Sequence, residues 1–112
     1  MGRTEILQHI RERAASVMPP GTRVVLYGSQ ARGDARQDSD WDILVLLDKE
    51  KLGRDDHDNY AYPLFELGWE IDAMIHPMLY TKDEWEKRRV SLFHENVERD
   101  GKLIYGQTKA ND

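Results

Sequence analysis

A glycine–serine pair and three aspartates have the types and spacing that could do chemistry. Gly28 and Ser29 are separated from Asp40 by ten residues, Asp42 follows two positions later, and Asp72 comes from a later segment. Residues two apart in an extended strand point to the same side, so Asp40 and Asp42 share a face, and Asp72 joins them if its strand lies beside theirs. Clustered carboxylates repel one another unless a cation joins them. Two Mg²⁺ ions about 3.5–4 Å apart would form the clamp used for in-line displacement at phosphorus.

The glycine and serine suit a bound phosphate. A strand that ends in Gly28 lets the backbone approach phosphate oxygens closely, and Ser29 offers a hydroxyl and an N–H donor. The pair is not part of a P-loop, because no Gly-Lys-Ser/Thr follows at the required spacing. Arg32 could pair with phosphate oxygens or anchor the loop to Asp34 or Asp38. A nucleoside triphosphate is therefore the expected ligand.

The amino-acid composition limits the kinds of metal site and partner that the protein could have. The 112 residues include no cysteine, so any metal must be held by carboxylates or imidazoles, and the net charge of −5 disfavours stable binding of a long nucleic acid. No apolar run is long enough to span a membrane, and we expect a cytoplasmic protein. The four histidines lack metal-ligand spacing and are expected to be ordinary surface or partly buried residues: His9, His57, His76 and His94.

The elements that must position these residues follow from the hydrophobic pattern. Helical spacing predicts an opening helix with Thr4 as its N-cap, ended by the Pro-Pro-Gly that follows Met18. Residues 23–27 predict a strand that ends at the glycine–serine pair, and the nearly continuous apolar run 41–47 predicts a central strand covered on both faces.

The second half of the chain predicts a third strand and further helices. Residues 59–67 could form a helix. Alternation over residues 69–75 predicts a strand that carries Glu70, Asp72 and Met74 on one face, which makes Glu70 a rival ligand. A capping box at Thr81 predicts a helix that can break and resume near residues 92–98, and residues 103–105 predict a last short strand. We expect one domain over residues 1–106 and a disordered tail over residues 107–112.

The sequence resembles the DNA polymerase β-like nucleotidyltransferase superfamily and, within it, the minimal nucleotidyltransferases (MNT). The family pattern is Gly-Ser, ten residues, then Asp-x-Asp. Its extended form also matches at eight positions: Gly28, Ser29, Ala31, Arg32, Gly33, Ser39, Asp40 and Asp42. The family's third acid lies on a later strand, where Asp72 is the best match. The resemblance covers nearly the whole chain.

This resemblance implies an α/β (α+β) nucleotidyltransferase fold, with a small mixed sheet flanked by helices. It also implies a site in which Asp40, Asp42 and Asp72 bind Mg²⁺ or Mn²⁺, and Ser29, Arg32 and Ser39 bind the nucleotide beside Gly28. The implied reaction is transfer of AMP from ATP, with release of pyrophosphate, to a hydroxyl of a partner protein. Many similar proteins are antitoxins paired with a helical HEPN toxin.

Two alternatives stay open at this stage. The chain could be a non-catalytic module that binds nucleotide or neutralises a toxin by contact alone, since fold does not determine function. It could also modify a small molecule of the aminoglycoside type, with a homodimer completing the substrate site. Intact acids at the motif positions favour the catalytic reading, because a pure binding module has no physical need for clustered carboxylates.

Overall fold

Four strands form one mixed sheet in the computed structural model, which describes residues 1–107. They are β1 (Arg23–Tyr27), β2 (Trp41–Leu47), β3 (Ile75–Thr81) and β4 (Lys102–Tyr105), in the spatial order β3-β2-β1-β4. β1 runs antiparallel to β2 and to β4, whereas β3 runs parallel to β2. The expected mixed sheet is confirmed, with β2 as an inner strand.

Within the described residues, five α-helices and one π-helical turn surround this sheet. They are α1 (Arg3–Val17), α2 (Ser29–Arg32), α3 (Tyr62–Ile71), α4 (Lys82–Glu86), α5 (Leu92–Asp100) and the turn His57–Ala61 that leads into α3. The capping box predicted at Thr81 is confirmed, because its hydroxyl accepts from the Glu84 N–H at 3.0 Å and its own N–H donates to Glu84 at 2.9 Å. The predicted helix near residues 92–98 is also confirmed as α5.

Both faces of β2 are covered by apolar side chains, as its sequence predicted. Alternate residues of β2, starting from Trp41, pack in a core with α1 and α3, through residues such as Ile10 and Leu64. The remaining apolar residues pack in a second cluster with α4 and α5, whose members include Leu44, Leu46, Trp85 and Val97. Asp42 lies on this second face, at the end where β2 begins.

The third predicted strand was placed wrongly. Residues 69–71 are the last turn of α3, and β3 begins only at Ile75. Leu64, Leu67 and Ile71 repeat at helical spacing, and this pattern prevails over the local alternation. Trp69, which the alternation would place on the strand face opposite Glu70, is 69% exposed. Pro77 does not end the strand, because β3 is an edge strand and a missing N–H can face outwards there.

Two smaller expectations concern the chain termini. α1 begins at Arg3 with Gly2 as its N-cap, so the predicted Thr4 cap is wrong; the Glu5 side chain instead accepts from the Gly2 N–H at 3.3 Å. The predicted disordered tail falls, beyond Gln107, outside the described residues.

Within residues 1–107, no helix has the length and apolar character needed to cross a membrane.

Candidate active site

Gly28 brings the end of β1 directly against the Asp42 carboxylate. Its backbone has φ +74 and ψ −157, a conformation that is essentially open only to glycine. A side-chain carbon built on Gly28 would collide with an Asp42 carboxylate oxygen. The antiparallel register, in which Tyr27 faces Asp42, places the two segments side by side. The sequence motif is therefore a spatial contact as well as a spacing.

Asp40 and Asp42 form the acidic part of the site. Asp42 is half-buried at the start of β2, whereas the Asp40 side chain is 54% exposed just before the strand. Burial raises the pKa of Asp42 above its usual value, and the neighbouring Asp40 charge raises it further, although His76 and Arg32 partly oppose the shift. A bound cation would relieve the repulsion between these two carboxylates.

Asp72 does not lie on the strand that was expected to carry it. It is the C-cap of α3, with φ 56 and ψ 50, and its N–H donates to the Gly68 carbonyl. Its rival Glu70 also lies on α3, where its carboxylate accepts from Arg13 at 2.7 Å. Among residues 1–107, no three His, Asp or Glu side chains form a ready metal-binding group. The expected position of Asp72 on a strand beside β2 is therefore wrong, and its role as a metal ligand stays a prediction.

His76 occupies the strand position expected of the third acid. The parallel register of β2 with β3 sets His76 directly beside Asp42, and its Nε2 lies 3.3 Å from Asp40 Oδ2. From the sequence alone, this histidine is expected to be an ordinary residue. The available signal was the alternation of Ile75 and Pro77 with His76, which places the imidazole on the face opposite the buried pair.

Tyr27 is a second residue that the sequence analysis missed. The pKa of its phenol is raised to about 12, mainly by burial and to a smaller extent by the Asp42 and Tyr80 charges. The hydroxyl therefore stays protonated beside the acids at neutral pH and can act as a donor. Phe93 of α5 packs edge-on against the ring at a centroid distance of 5.5 Å, which attaches this part of the site to the second apolar cluster.

The predicted phosphate-binding residues surround the short helix α2. Ser29 is its first residue and is partly exposed beside Gly28. Arg32 is half-exposed and pairs with Asp34 at 3.3 Å, which confirms the anchoring contact and leaves the guanidinium at the surface. Ser39 accepts from the Arg36 N–H at 2.7 Å, so its hydroxyl orders the turn before the acids.

Gln30 connects α2 to the rest of the fold, and sequence reasoning did not single it out. Its side chain is buried, donates to the Ser39 carbonyl at 3.3 Å and accepts from Arg3 at 3.2 Å. A second nitrogen of Arg3 donates to the Gln30 backbone carbonyl. Since Ser39 directly precedes Asp40, this network holds the glycine–serine turn and the acidic segment together.

The comparisons with known proteins agree with this geometry. A family model described as a nucleotidyltransferase domain matches residues 5–99, and these include Gly28, Asp40, Asp42 and His76. The chain belongs to this nucleotidyltransferase family. It is therefore a nucleotidyltransferase, and the glycine–serine turn, Asp40 and Asp42 all lie within the matched residues.

Two proteins of Methanocaldococcus jannaschii, both provisionally named protein adenylyltransferases, resemble this nucleotidyltransferase. One is 29% identical over 83 residues, which cover 74% of this chain and 77% of the relative. The other is 29% identical over 79 residues, which cover 70% of this chain and 79% of the relative.

Solved structures share the fold at low sequence identity. A toxin–antitoxin crystal structure with AMP-PNP superposes with a TM-score of 0.67 at 18% identity, covering 94% of this chain and 77% of that chain. A complex of a tri-AMPylated HEPN toxin of Shewanella oneidensis with its MNT antitoxin gives 0.62 at 15% identity, with coverages of 98% and 77%. These similarities agree with the expected nucleotidyltransferase fold.

Proposed function

We propose that this nucleotidyltransferase moves AMP from ATP, in the presence of a divalent metal, to a hydroxyl group of a partner protein. The observation that carries the proposal is the contact between Gly28 and the Asp42 carboxylate. Because of this contact, the turn that suits phosphate oxygens lies directly against the half-buried carboxylate of Asp42. A bound cation would stabilise that carboxylate. A structural turn has no need of that juxtaposition.

The residues present fit a divalent cation. Asp40 and Asp42 offer oxygen ligands, which Mg²⁺ and Mn²⁺ prefer, and the raised pKa of Asp42 reflects burial and a like charge that bound metal would offset. Asp40 and Asp42 would hold the metal. When bound, it would supply positive charge to the reacting phosphate and lower the pKa of the attacking hydroxyl.

The chain's own groups would hold and orient the nucleotide. Ser29 would donate its hydroxyl and N–H to phosphate oxygens beside the Gly28 backbone. Arg32 would exchange its exposed contact with Asp34 for a phosphate, at little cost because a solvent-exposed ion pair contributes little to stability. Ser39 would act indirectly by holding the turn before Asp40. The Tyr27 hydroxyl stays protonated beside Asp42 and would be available as a hydrogen-bond donor.

A protein acceptor is supported by the relatives. The two archaeal relatives are provisionally named protein adenylyltransferases, and one structural neighbour is an MNT antitoxin in complex with a tri-AMPylated HEPN toxin. We therefore propose a HEPN-type toxin as the partner and AMP attachment to it as the means of neutralisation. The acceptor proposed is a side-chain hydroxyl of that toxin.

One observation favours a non-catalytic module instead. β3 presents His76, rather than a carboxylate, beside Asp42. If three carboxylates were indispensable, the chain would bind nucleotide or partner without transferring AMP. That second candidate predicts a stable complex whose partner gains no mass and whose affinity is unchanged by Asp40→Asn.

Co-expression with the product of the adjacent gene tests the two candidates. The partner is purified with the wild-type chain or with Asp40→Asn and analysed by intact mass spectrometry. The proposal predicts a partner heavier by one or more AMP groups with the wild-type chain only. An unmodified partner held tightly by both chains would establish the contact-only module.

A further inference from the structure

The pairing of β2 with β3 places His76 on the same face of the sheet as Asp42. In the parallel pairing of β2 with β3, Trp41 lies beside Ile75 and Asp42 lies beside His76. Trp41 and Ile75 are both buried in the core that contains α1 and α3. Because neighbouring residues of a strand point to opposite faces, Asp42 and His76 project together from the other face.

The contact of His76 with Asp40 has the dimensions of a shared metal site. The separation between Nε2 and Oδ2 is 3.3 Å, slightly longer than a good hydrogen bond. In an octahedral site with bonds of roughly 2.1 Å, neighbouring ligand atoms stand roughly 3 Å apart. Both side chains are also about half exposed, at 45% for His76 and 54% for Asp40, so an ion can reach them.

We infer that His76 is a metal ligand in place of a third carboxylate, and that it shifts the preference of the site from Mg²⁺ towards Mn²⁺. This inference rests on the proposed function, because the ion is the one that the reaction requires. In the metal-free arrangement of the described residues, no three histidine or acidic side chains lie close enough together to hold an ion. A bound ion would therefore have to draw the Asp42 carboxylate towards the pair formed by His76 and Asp40.

The metal preference follows from ligand chemistry. Mg²⁺ strongly favours oxygen ligands and gains little from an imidazole, whereas Mn²⁺, which also binds carboxylates, opens the first-row series of ions that bind mixed nitrogen and oxygen sites. Two carboxylates and a neutral imidazole also carry one negative charge fewer than three carboxylates. Mg²⁺ therefore loses both an oxygen ligand and electrostatic attraction, while Mn²⁺ is partly compensated by the Mn–N bond.

Electron paramagnetic resonance with Mn²⁺ and AMP-PNP tests this assignment without requiring turnover. The protein is labelled with ¹⁵N-histidine, and pulsed measurements detect a ¹⁵N coupling to Mn²⁺ if an imidazole is a ligand. We expect the coupling in the wild type and in His57→Asn, whose exposed histidine is the matched control, and its loss in His76→Asn. His76→Asn should also weaken Mn²⁺ binding by about tenfold or more, as loss of a ligand does.

A second variant covers the case in which His76→Asn folds poorly. His76→Asp supplies a third carboxylate, and we expect it to raise the ratio of Mg²⁺ to Mn²⁺ affinity by about tenfold, measured by competition at equal nucleotide concentration. Mn²⁺ binding with no ¹⁵N coupling in the wild type would overturn the role of His76 and leave the proposed function intact. Failure of Mn²⁺ to bind with AMP-PNP would overturn both.

Discussion

The carboxylate of Asp42 occupies the space in which a side chain on Gly28 would begin. This relationship explains why the turn after β1 and the start of β2 act as one unit. The glycine conformation and the position of the acid depend on each other, because the backbone approaches the carboxylate closely only where no side-chain carbon intervenes.

Gly28→Ala should therefore disturb the acid as well as the turn. We expect a loss of roughly 1–3 kcal/mol in the free energy of unfolding from backbone strain, and weaker binding of metal and AMP-PNP because Asp42 is displaced. The comparison variant is Gly33→Ala, which also has positive φ but has open space around its Cα. Denaturant unfolding and calorimetry measure both effects. Equal nucleotide affinity in the two variants would show that the contact with Asp42 does not matter.

The raised pKa of Asp42 predicts a pH-dependent stability in metal-free solution. Because the folded-state pKa lies above the ordinary value, the stabilising contribution is complete below about pH 3.9 and is lost as pH rises through the raised value. Ionised Asp42 therefore destabilises the metal-free fold at neutral pH.

Asp42→Asn removes this dependence. The free energy of unfolding of the variant minus that of the wild type should increase as pH rises through this window, then level off. Denaturant unfolding in chelator across pH 3–8 measures the difference, and a difference that stays constant would contradict the assigned electrostatics. Adding Mn²⁺ with AMP-PNP should stabilise the wild type and not the variant.

Asp72 should behave as a helix cap. Its φ of 56 lies in the left-handed region, where glycine is the favoured residue. Asp72→Gly is therefore expected to increase the free energy of unfolding by up to about 1 kcal/mol, with unchanged metal affinity. Asp72→Asn removes the charge and keeps a residue that tolerates this conformation. A fall in metal affinity in both variants would restore Asp72 as a ligand.

The sequence predicted the parts of the fold that depend on local pattern. β2 is a nearly continuous apolar run, and the turn at Gly28 is marked by an abrupt end of apolar residues, so both were found where expected. The third strand was missed because helical spacing extends as far as Ile71. His76 was missed because its neighbour across the sheet is set by the parallel register, which no local pattern encodes.

The three tryptophans illustrate the same limit, since composition does not distinguish their positions. Trp85 is 1% exposed in the second apolar cluster, whereas Trp69 is 69% exposed and packs edge-on against Tyr62. Trp85→Ala should cost about 3–5 kcal/mol of unfolding free energy, and Trp69→Ala about 1 kcal/mol or less. Urea unfolding of both variants measures the contrast. Similar losses would contradict the packing described for α4.

AMP transfer that depends on Asp40 and Asp42 is best tested by label transfer from ATP. The purified chain is incubated with Mg²⁺ or Mn²⁺ and extract from its own source, using ATP labelled with ³²P at the α- or the γ-phosphate. We expect a protein band labelled from the α-position only, with release of pyrophosphate, and no band with Asp40→Asn. Label from the γ-position, or an equal band with Asp40→Asn, would contradict it.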